Sequence, residues 1–125
     1  MTLPPYADTL SIRVEDGADG APLYRMPFGD TVLGRPGFLH GGAISGLLEL
    51  AAIGTAIRAI GDDAASLKPI NMTVSFMRGG TEQDTFASAT VTRLGNRVVN
   101  IEAHAWQDDR DRPIASAQLN LLVRR

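Results

Sequence analysis

The sequence predicts an α+β fold in which a curved antiparallel sheet wraps around one long central helix. The run from Gly41 to Ile60 is almost entirely apolar or small, which is typical of a helix buried inside protein. Two strand patterns precede this run and four follow it, each with polar and apolar residues alternating at a period of two. Because the helix and the strands are segregated along the chain, the pattern does not indicate alternating βα units.

The segment before the helix predicts two strands and a long loop. Residues 9–15 alternate between polar and apolar side chains, as a half-buried strand does, and residues 16–20 form a turn cluster. A weaker strand is predicted over residues 21–28, where prolines near both ends confine it to an edge. Residues 29–39 are rich in glycine and are expected to form a loop.

The central segment predicts a helix that is enclosed by protein on all sides. Gly61 stands in the usual position for a residue that ends a helix. The apolar run could be mistaken for a membrane span, but Glu49 and Arg58 interrupt it, and a carboxylate within lipid is costly. We therefore expect a helix covered by one sheet and by a second copy of the chain, and no membrane partner.

The remainder of the chain predicts a four-stranded antiparallel meander. In its first strand, Ile70, Met72, Val74 and Phe76 are expected to share one face. The next three strands are predicted over residues 85–94, 97–107 and 114–124.

Composition limits the classes of function. The 125 residues fit one domain, and 44% hydrophobic residues suffice for a core. A net charge of -2 does not indicate a nucleic-acid partner. The chain has no cysteine and only two histidines, His40 and His104, so we expect no disulfide and no metal site. No signal peptide is recognisable, and the cytoplasm is the default expectation.

The start of the helix carries a candidate binding element. Gly41 and Gly42 follow His40, and amides in the first helical turn have no acceptor within the helix. Without side chains, the glycines let a carbonyl oxygen approach these donors, which suits stabilisation of an oxyanion. A tight entry into the helix explains two glycines equally well. His40 either orients the turn, contacts a ligand, or has a structural hydrogen-bonding role.

Glu49 is the candidate catalytic carboxylate. At helical spacing its neighbours are Gly42, Ser45, Ala52 and Ala56, all small, so the carboxylate is expected to border a groove. Space beside a lone carboxylate in an apolar helix suits a substrate and a general base or nucleophile. The alternative is a carboxylate that serves only a subunit interface.

These residues resemble the PaaI-type hotdog thioesterases. In that family a His-Gly-Gly turn is followed, nine residues after the histidine, by Asp or Glu on the central helix. His40-Gly41-Gly42 and Glu49 match this spacing. Residues 71–78 and 92–97 resemble the family's strands after the helix, and the resemblance spans about residues 9 to 123.

The resemblance implies a hotdog fold and hydrolysis of an acyl-CoA thioester. It implies that the Gly41 amide polarises the thioester carbonyl. It further implies that Glu49 of a neighbouring subunit activates water or attacks directly, at the interface of a homodimer whose dimers pair into tetramers. No cofactor is expected, because CoA is part of the substrate.

Two positions depart from the family pattern. Several members carry Asn or Gln where this chain has Gly34, and some carry Ser or Thr where the best local match is Pro69. Asn71, Thr31 or Ser45 could supply the missing polar group.

Three arginines are candidates for holding the CoA phosphates. Arg78, Arg93 and Arg97 lie at predicted strand ends, and arginine suits phosphate, although solvated arginines at strand ends are common.

Three functions follow from these observations. A thioesterase ranks first and a non-catalytic acyl-CoA-binding or regulatory protein second. A hydratase or dehydratase ranks last, because the chain lacks the pairing of a catalytic histidine with an acid in the local motifs of those enzymes.

Overall fold

The computed structural model describes residues 2–125 and confirms the α+β prediction. Helix α1 (Tyr6–Thr9), strands β1 (Arg13–Asp16) and β2 (Pro22–Met26) and a 3-10 helix (Asp30–Val32) precede helix α2 (Gly41–Ile60); strands β3 (Ser66–Phe76), β4 (Thr85–Leu94), β5 (Val98–Trp106) and β6 (Ala115–Arg124) follow it. All six strands form one antiparallel sheet in the order β1-β2-β4-β5-β6-β3. The apolar side of α2 packs on one face of this sheet.

Helix α2 has the predicted bounds, but a single chain does not enclose it. Gly61 ends the helix in the left-handed conformation (φ 65°), and its N–H donates to the Ile57 carbonyl oxygen over 3.1 Å. Among the described residues, α2 is long and apolar enough to span a membrane, yet 56% of its most apolar window is buried in the chain. The face that carries Gly42, Ser45 and Glu49 remains open. The cover that we expect from a second copy of the chain stays a prediction.

Small residues let α2 approach the sheet closely. On the face of the sheet that packs against α2, two rows of alanine cross strands β4, β5 and β6. One row is Ala87, Ala105 and Ala115, and the other is Ala89, Ala103 and Ala117. Five of these six alanines are at most 3% exposed. The facing side of α2 also contributes alanines and glycines, so helix and sheet backbones can pack without long side chains between them.

The predicted four-stranded meander is wrong in the position of one strand. β4, β5 and β6 do follow each other as neighbours, but β3 pairs with β6 along its length, from Ser66 opposite Arg124 to Phe76 opposite Ala115. The chain must therefore pass from one side of β4-β5-β6 to the other between Phe76 and Thr85. Alternation of side chains identifies a strand but carries no information about its partner.

A β-bulge changes the predicted face of Ile70. The pairing with β6 shifts register between Pro69 and Asn71, so Ile70 is an extra residue in β3. Its side chain is 54% exposed, whereas Met72 and Val74 pack against the core as expected. Ile70 therefore does not share the environment of Met72 and Val74. Phe76, which was predicted on the same face, is also exposed, at 55%.

The first predicted strand begins later than the alternation indicated. Residues Tyr6–Thr9 are helical, and Ser11 adopts a positive φ of 55° before β1 begins at Arg13. Leu10 is buried against α2 at Gly46. Leu10 is apolar because it packs against α2 and not because it lies in a strand. The alternation over residues 9–12 therefore predicted a strand that is not there.

Asp84 anchors the loop that leads to α2. Its carboxylate accepts hydrogen bonds from the Phe28 N–H over 2.9 Å and from Arg25 Nη2 over 2.7 Å. The Phe28 bond and then the Arg25 bond hold the pKa of the Asp84 carboxyl below its usual value. The start of the loop at residues 29–39 is thereby fixed to the beginning of β4.

Replacing Gly54 with alanine is predicted to destabilise the fold. Tyr24 is 2% exposed and crosses α2 at Gly54, where an added Cβ would lie 2.8 Å from the ring carbon Cζ. Overpacking costs about 1–3 kcal/mol, and alanine's higher helix propensity returns about 1 kcal/mol. Urea denaturation should show a net loss of up to about 2 kcal/mol in the free energy of unfolding.

Gly29→Ala is the matched control for this substitution. Gly29 has an extended backbone (φ 179°) and open space around its Cβ position. Its free energy of unfolding should stay within about 0.5 kcal/mol of the parent value. Equal stability of the two variants would show that Tyr24 does not require a glycine at position 54.

Candidate active site

His40 caps the N-terminus of α2 with its own side chain. The Gly42 N–H donates to His40 Nδ1 over 2.8 Å, and the His40 carbonyl oxygen accepts from the N–H groups of Ala43 and Ile44. Because Nδ1 accepts, the proton of the neutral ring resides on Nε2. A Cβ at position 42 would lie 2.8 Å from Nδ1, so the cap requires a glycine there or a displaced imidazole.

The Gly41 amide is left available at the positive end of α2. Its N–H donates to no acceptor among residues 2–125, whereas the Gly42 amide is used by the cap. Gly41 is half-buried and opens into a cleft of about 250 Å³, hereafter the Gly41 cleft. The side chains that define this cleft include Arg35, Phe38, Ile44, Phe76, Met77 and Arg78. The structure thus brings together Gly41 and Arg78, both predicted from the sequence.

Two loops are locked together at the Gly41 cleft. The Leu39 N–H donates to the Gly80 carbonyl oxygen over 2.9 Å, and Phe38 covers Gly79 so closely that a Cβ there would lie 2.8 Å from the ring. The Arg35 guanidinium stacks 4.7 Å from the Phe38 ring centroid. Arg35 was not predicted as a site residue. Its position three residues before the aromatic Phe38, close to the histidine-glycine turn, was the feature of the sequence that could have indicated it.

Glu49 opens into a second groove, of about 280 Å³, hereafter the Glu49 groove. Its other lining residues are Thr2, Pro4, Ile53, Ile57, Ser66, Leu67 and Pro69. Ala52 and Ala56, which were predicted to border this groove, are instead fully buried. Beyond Glu49, the residues of α2 that line the groove are Ile53 and Ile57. The groove is therefore apolar, and its lining side chains are larger than helical spacing alone indicated.

One chain does not place Glu49 beside Gly41. Eight helical residues correspond to about 12 Å along the axis, which is too far for both groups to contact one carbonyl. The Glu49 groove is lined by Ser66, at the start of β3, and the Gly41 cleft by Phe76, at its end. The edge strand β3 therefore connects the two openings.

The remaining predicted site residues are spread over the chain. Gly42 and Ser45 share the open face of α2 with Glu49. Asn71 lies on the opposite face of the sheet, where it accepts from Asn120, which in turn accepts from Asn100. Arg97 lies in the turn between β4 and β5, at the far end of the sheet from Gly41. The functional roles of all these residues stay predictions.

Gly34 has a packing reason to lack a side chain. A Cβ at this position would lie 3.0 Å from the His40 Cα and 3.2 Å from its N. The His40 N–H also donates to the Val32 carbonyl oxygen, which holds the turn against this loop. No side-chain amide can extend from position 34 without moving the main chain of the turn.

Residues 36–114, which include the turn and Glu49, match the thioesterase superfamily. The chain belongs to the thioesterase superfamily. The match covers well over half of the sequence, and it confirms the family resemblance at this level. No curated protein matches the chain.

Solved structures confirm the hotdog fold. A protein from Bacillus halodurans, crystallised with CoA, has a TM-score of 0.87 at 21% identity over 98% of this chain and 80% of its own. A phenylacetic acid degradation-related protein from Ralstonia eutropha JMP134 has a TM-score of 0.83 at 22% identity, over 98% of this chain and 92% of its own. A mutant thioesterase from Pseudomonas aeruginosa has a TM-score of 0.84 at 24% identity, over 94% and 84%.

Removing the His40 cap is predicted to lower stability. His40→Ala deletes the acceptor for the Gly42 N–H, and loss of an N-cap costs about 1 kcal/mol. His40→Asn keeps a short side-chain acceptor and should recover most of that free energy of unfolding. Thermal and urea melts of both variants check this expectation, and equal stability of parent and His40→Ala would refute the capping role.

Proposed function

We propose that this protein hydrolyses acyl-CoA thioesters to a free acid and CoA. The observation that carries the proposal is the free Gly41 amide at the start of α2, combined with a carboxylate on the same helix that faces an open groove. Membership of the thioesterase superfamily supports this reaction type. Neither a cofactor nor a metal ion enters the proposed chemistry.

The Gly41 N–H would bind the thioester carbonyl oxygen and stabilise the oxyanion that develops on attack. It lies at the positive end of a twenty-residue helix, which favours negative charge. The carboxylate of Glu49 either takes a proton from an attacking water or attacks the carbonyl carbon itself. In both routes the C–S bond breaks, and the CoA sulfur leaves as a thiolate that takes up a proton. Direct attack leaves a mixed anhydride between Glu49 and the acyl group, which water then hydrolyses to release the free acid and restore the carboxylate.

Two copies of the chain would supply the two halves of one site. Strand β3 is an edge strand of eleven residues with exposed Phe76 and, just beyond it, exposed Met77. If two β3 strands pair antiparallel about a twofold axis, the start of each strand meets the end of the other. The Glu49 groove of one subunit then adjoins the Gly41 cleft of its partner, which closes the distance that separates them within one chain.

The lining of the Glu49 groove favours an uncharged, apolar acyl group. Ile53, Ile57, Leu67 and Pro69 form apolar walls, and no lysine or arginine is among the lining residues that the structure describes. An acyl chain with a terminal carboxylate would meet no cationic side chain of residues 2–125 there and would lose hydration on binding. A screen over short, long, aromatic and dicarboxylic acyl-CoAs tests this preference, and faster turnover of a dicarboxylic substrate would contradict it.

A non-catalytic acyl-CoA-binding role is the second candidate. It is favoured by Gly34, which packs on the His40 main chain and leaves no room for the side-chain amide that several relatives of the PaaI type carry at this position. Binding without turnover across the same acyl-CoA panel would select this role. Hydrolysis that depends on Glu49 would exclude it.

Glu49→Gln is predicted to lower kcat at least about 100-fold, because the amide can neither take a proton nor attack. Glu49→Ala should have the same effect, and both variants should remain folded, since the side chain is partly exposed and has no hydrogen-bond or ion-pair partner within residues 2–125. Glu82→Gln, an exposed substitution outside both openings, is the matched control and should keep the parent rate. Stopped-flow or thiol-release assays measure the rates, and parent-like turnover by folded Glu49→Gln would remove the catalytic assignment.

We predict a homodimer or a dimer of dimers at micromolar concentration. The open face of α2 and the long edge of β3 leave apolar groups in water that pairing would cover. Sedimentation velocity over a concentration series should show no folded monomer. A folded, catalytically active monomer would contradict both the dimer and the shared site.

A further inference from the structure

The N-terminal segment, defined here as residues 2–10, packs against α2 through apolar contacts. Leu10 is 3% exposed, and the partly buried Leu3 packs against the same core. Tyr6 and Leu10 both lie over Gly46, where an added Cβ would be 3.0 Å from Tyr6 Cε2 and 2.9 Å from Leu10 Cδ1. The segment is therefore a built part of the fold and not a loose end beside it.

Main-chain contacts fix the position of Pro4 within this segment. The Pro4 carbonyl oxygen accepts from the Ala7 N–H over 3.0 Å, and the Ile12 N–H donates to the Ala7 carbonyl oxygen over 2.9 Å. Ser11, with a φ of 55°, then turns the chain from α1 into β1. Pro5 follows Pro4, and two successive prolines restrict the backbone before any ligand binds.

The N-terminal segment forms one wall of the Glu49 groove. The groove is lined by Thr2 and Pro4 from this segment, by the start of β3, and by Ile53 and Ile57 of α2. The two isoleucines lie about one and two helical turns beyond Glu49. An acyl group whose carbonyl carbon lies at Glu49 would extend along these isoleucines, within reach of Thr2 and Pro4.

This wall lies outside the part of the chain that matches the superfamily. The matched residues, 36–114, contain Gly41 and Glu49 but neither Thr2 nor Pro4. The groups proposed for the reaction therefore belong to the matched part, whereas one wall of the groove does not. A substitution in that wall can change which acyl group fits without altering a reacting group.

We infer that the N-terminal segment selects the acyl group, with Thr2 and Pro4 in direct contact with it. The inference deepens the proposed function and rests on it for the nature of the ligand. The groove, at about 280 Å³, is larger than the roughly 150 Å³ of an engineered apolar cavity that holds benzene, so it has room for a chain of medium length or a single ring. Each methylene group that gains or loses contact with an apolar wall changes affinity several-fold.

Thr2→Trp tests the inference by adding bulk to the wall. Thr2 is exposed, so the fold should remain intact. The kcat/KM for octanoyl-CoA should fall about 10-fold, which corresponds to the loss of about two buried methylene groups, and that for acetyl-CoA should not change. Thr9→Trp is the matched control, because Thr9 is exposed on the same segment and does not line the groove. It should leave both values unchanged.

Pro4→Ala changes the same wall in the opposite direction. It removes the ring but keeps the carbonyl oxygen that accepts from Ala7, so the groove widens. The ratio of kcat/KM for benzoyl-CoA to that for hexanoyl-CoA should rise about 10-fold. Pro5→Ala is the matched control, since Pro5 is exposed, lies outside the groove and loses the same restriction of the backbone. Its ratio should equal that of the parent.

Binding separates this inference from the proposed function. Titration calorimetry on Glu49→Gln protein measures the Kd for each acyl-CoA without turnover. Adding Thr2→Trp to that protein should raise the Kd for octanoyl-CoA about 10-fold and leave that for acetyl-CoA unchanged. This result supports the acyl wall even if the parent hydrolyses no thioester, and only the catalytic proposal then falls.

A shift in the acyl profile of either test variant that is absent from its control supports the inference. Parent-like profiles in both folded Thr2→Trp and folded Pro4→Ala proteins would overturn it, even if the parent is an active thioesterase. Equal shifts in the test variants and their controls would overturn it as well, because the effect would then come from the segment as a whole and not from its contact with the acyl group.

Discussion

The structure depends on the burial of a twenty-residue apolar helix against a sheet whose inner face carries many small side chains. The alanine rows across β4, β5 and β6 allow the helix to approach closely, and Gly54 allows Tyr24 to cross it. Close packing of this kind maximises contact per residue but leaves little room for adjustment. The position of the helix therefore fixes everything attached to its two ends and to its uncovered face.

The candidate site lies where this packing stops. The sheet covers one side of α2. The Glu49 carboxylate lies on the other side, and the Gly41 amide, which has no acceptor among the described residues, lies at the helix start. The Asp84 contacts and the Leu39–Gly80 hydrogen bond hold the loops that border the start of α2. Since main-chain and buried contacts fix these groups, the Gly41 donor is oriented before a ligand binds, which is what stabilisation of developing charge requires.

Local sequence signals predicted the local features of this molecule. The bounds of α2, the Gly61 cap and the extent of β4 follow from composition, periodicity and glycine, all of which act within a few residues. The pairing of β3 with β6, the burial of Ala52 and the position of Arg35 in the Gly41 cleft depend on contacts between distant segments. Helical spacing identified which residues neighbour Glu49. Which of those neighbours are buried depends on which side of the helix the sheet covers.

The irregularity in β3 has a consequence for how copies of the chain associate. An uninterrupted exposed edge strand is a template on which further chains can add without limit, as in fibrils. Here Pro69 offers no N–H and Ile70 breaks the register, so the edge is uneven within a few residues of its start. Such an edge accepts a partner in few alignments, which favours a closed assembly of defined size over open-ended growth.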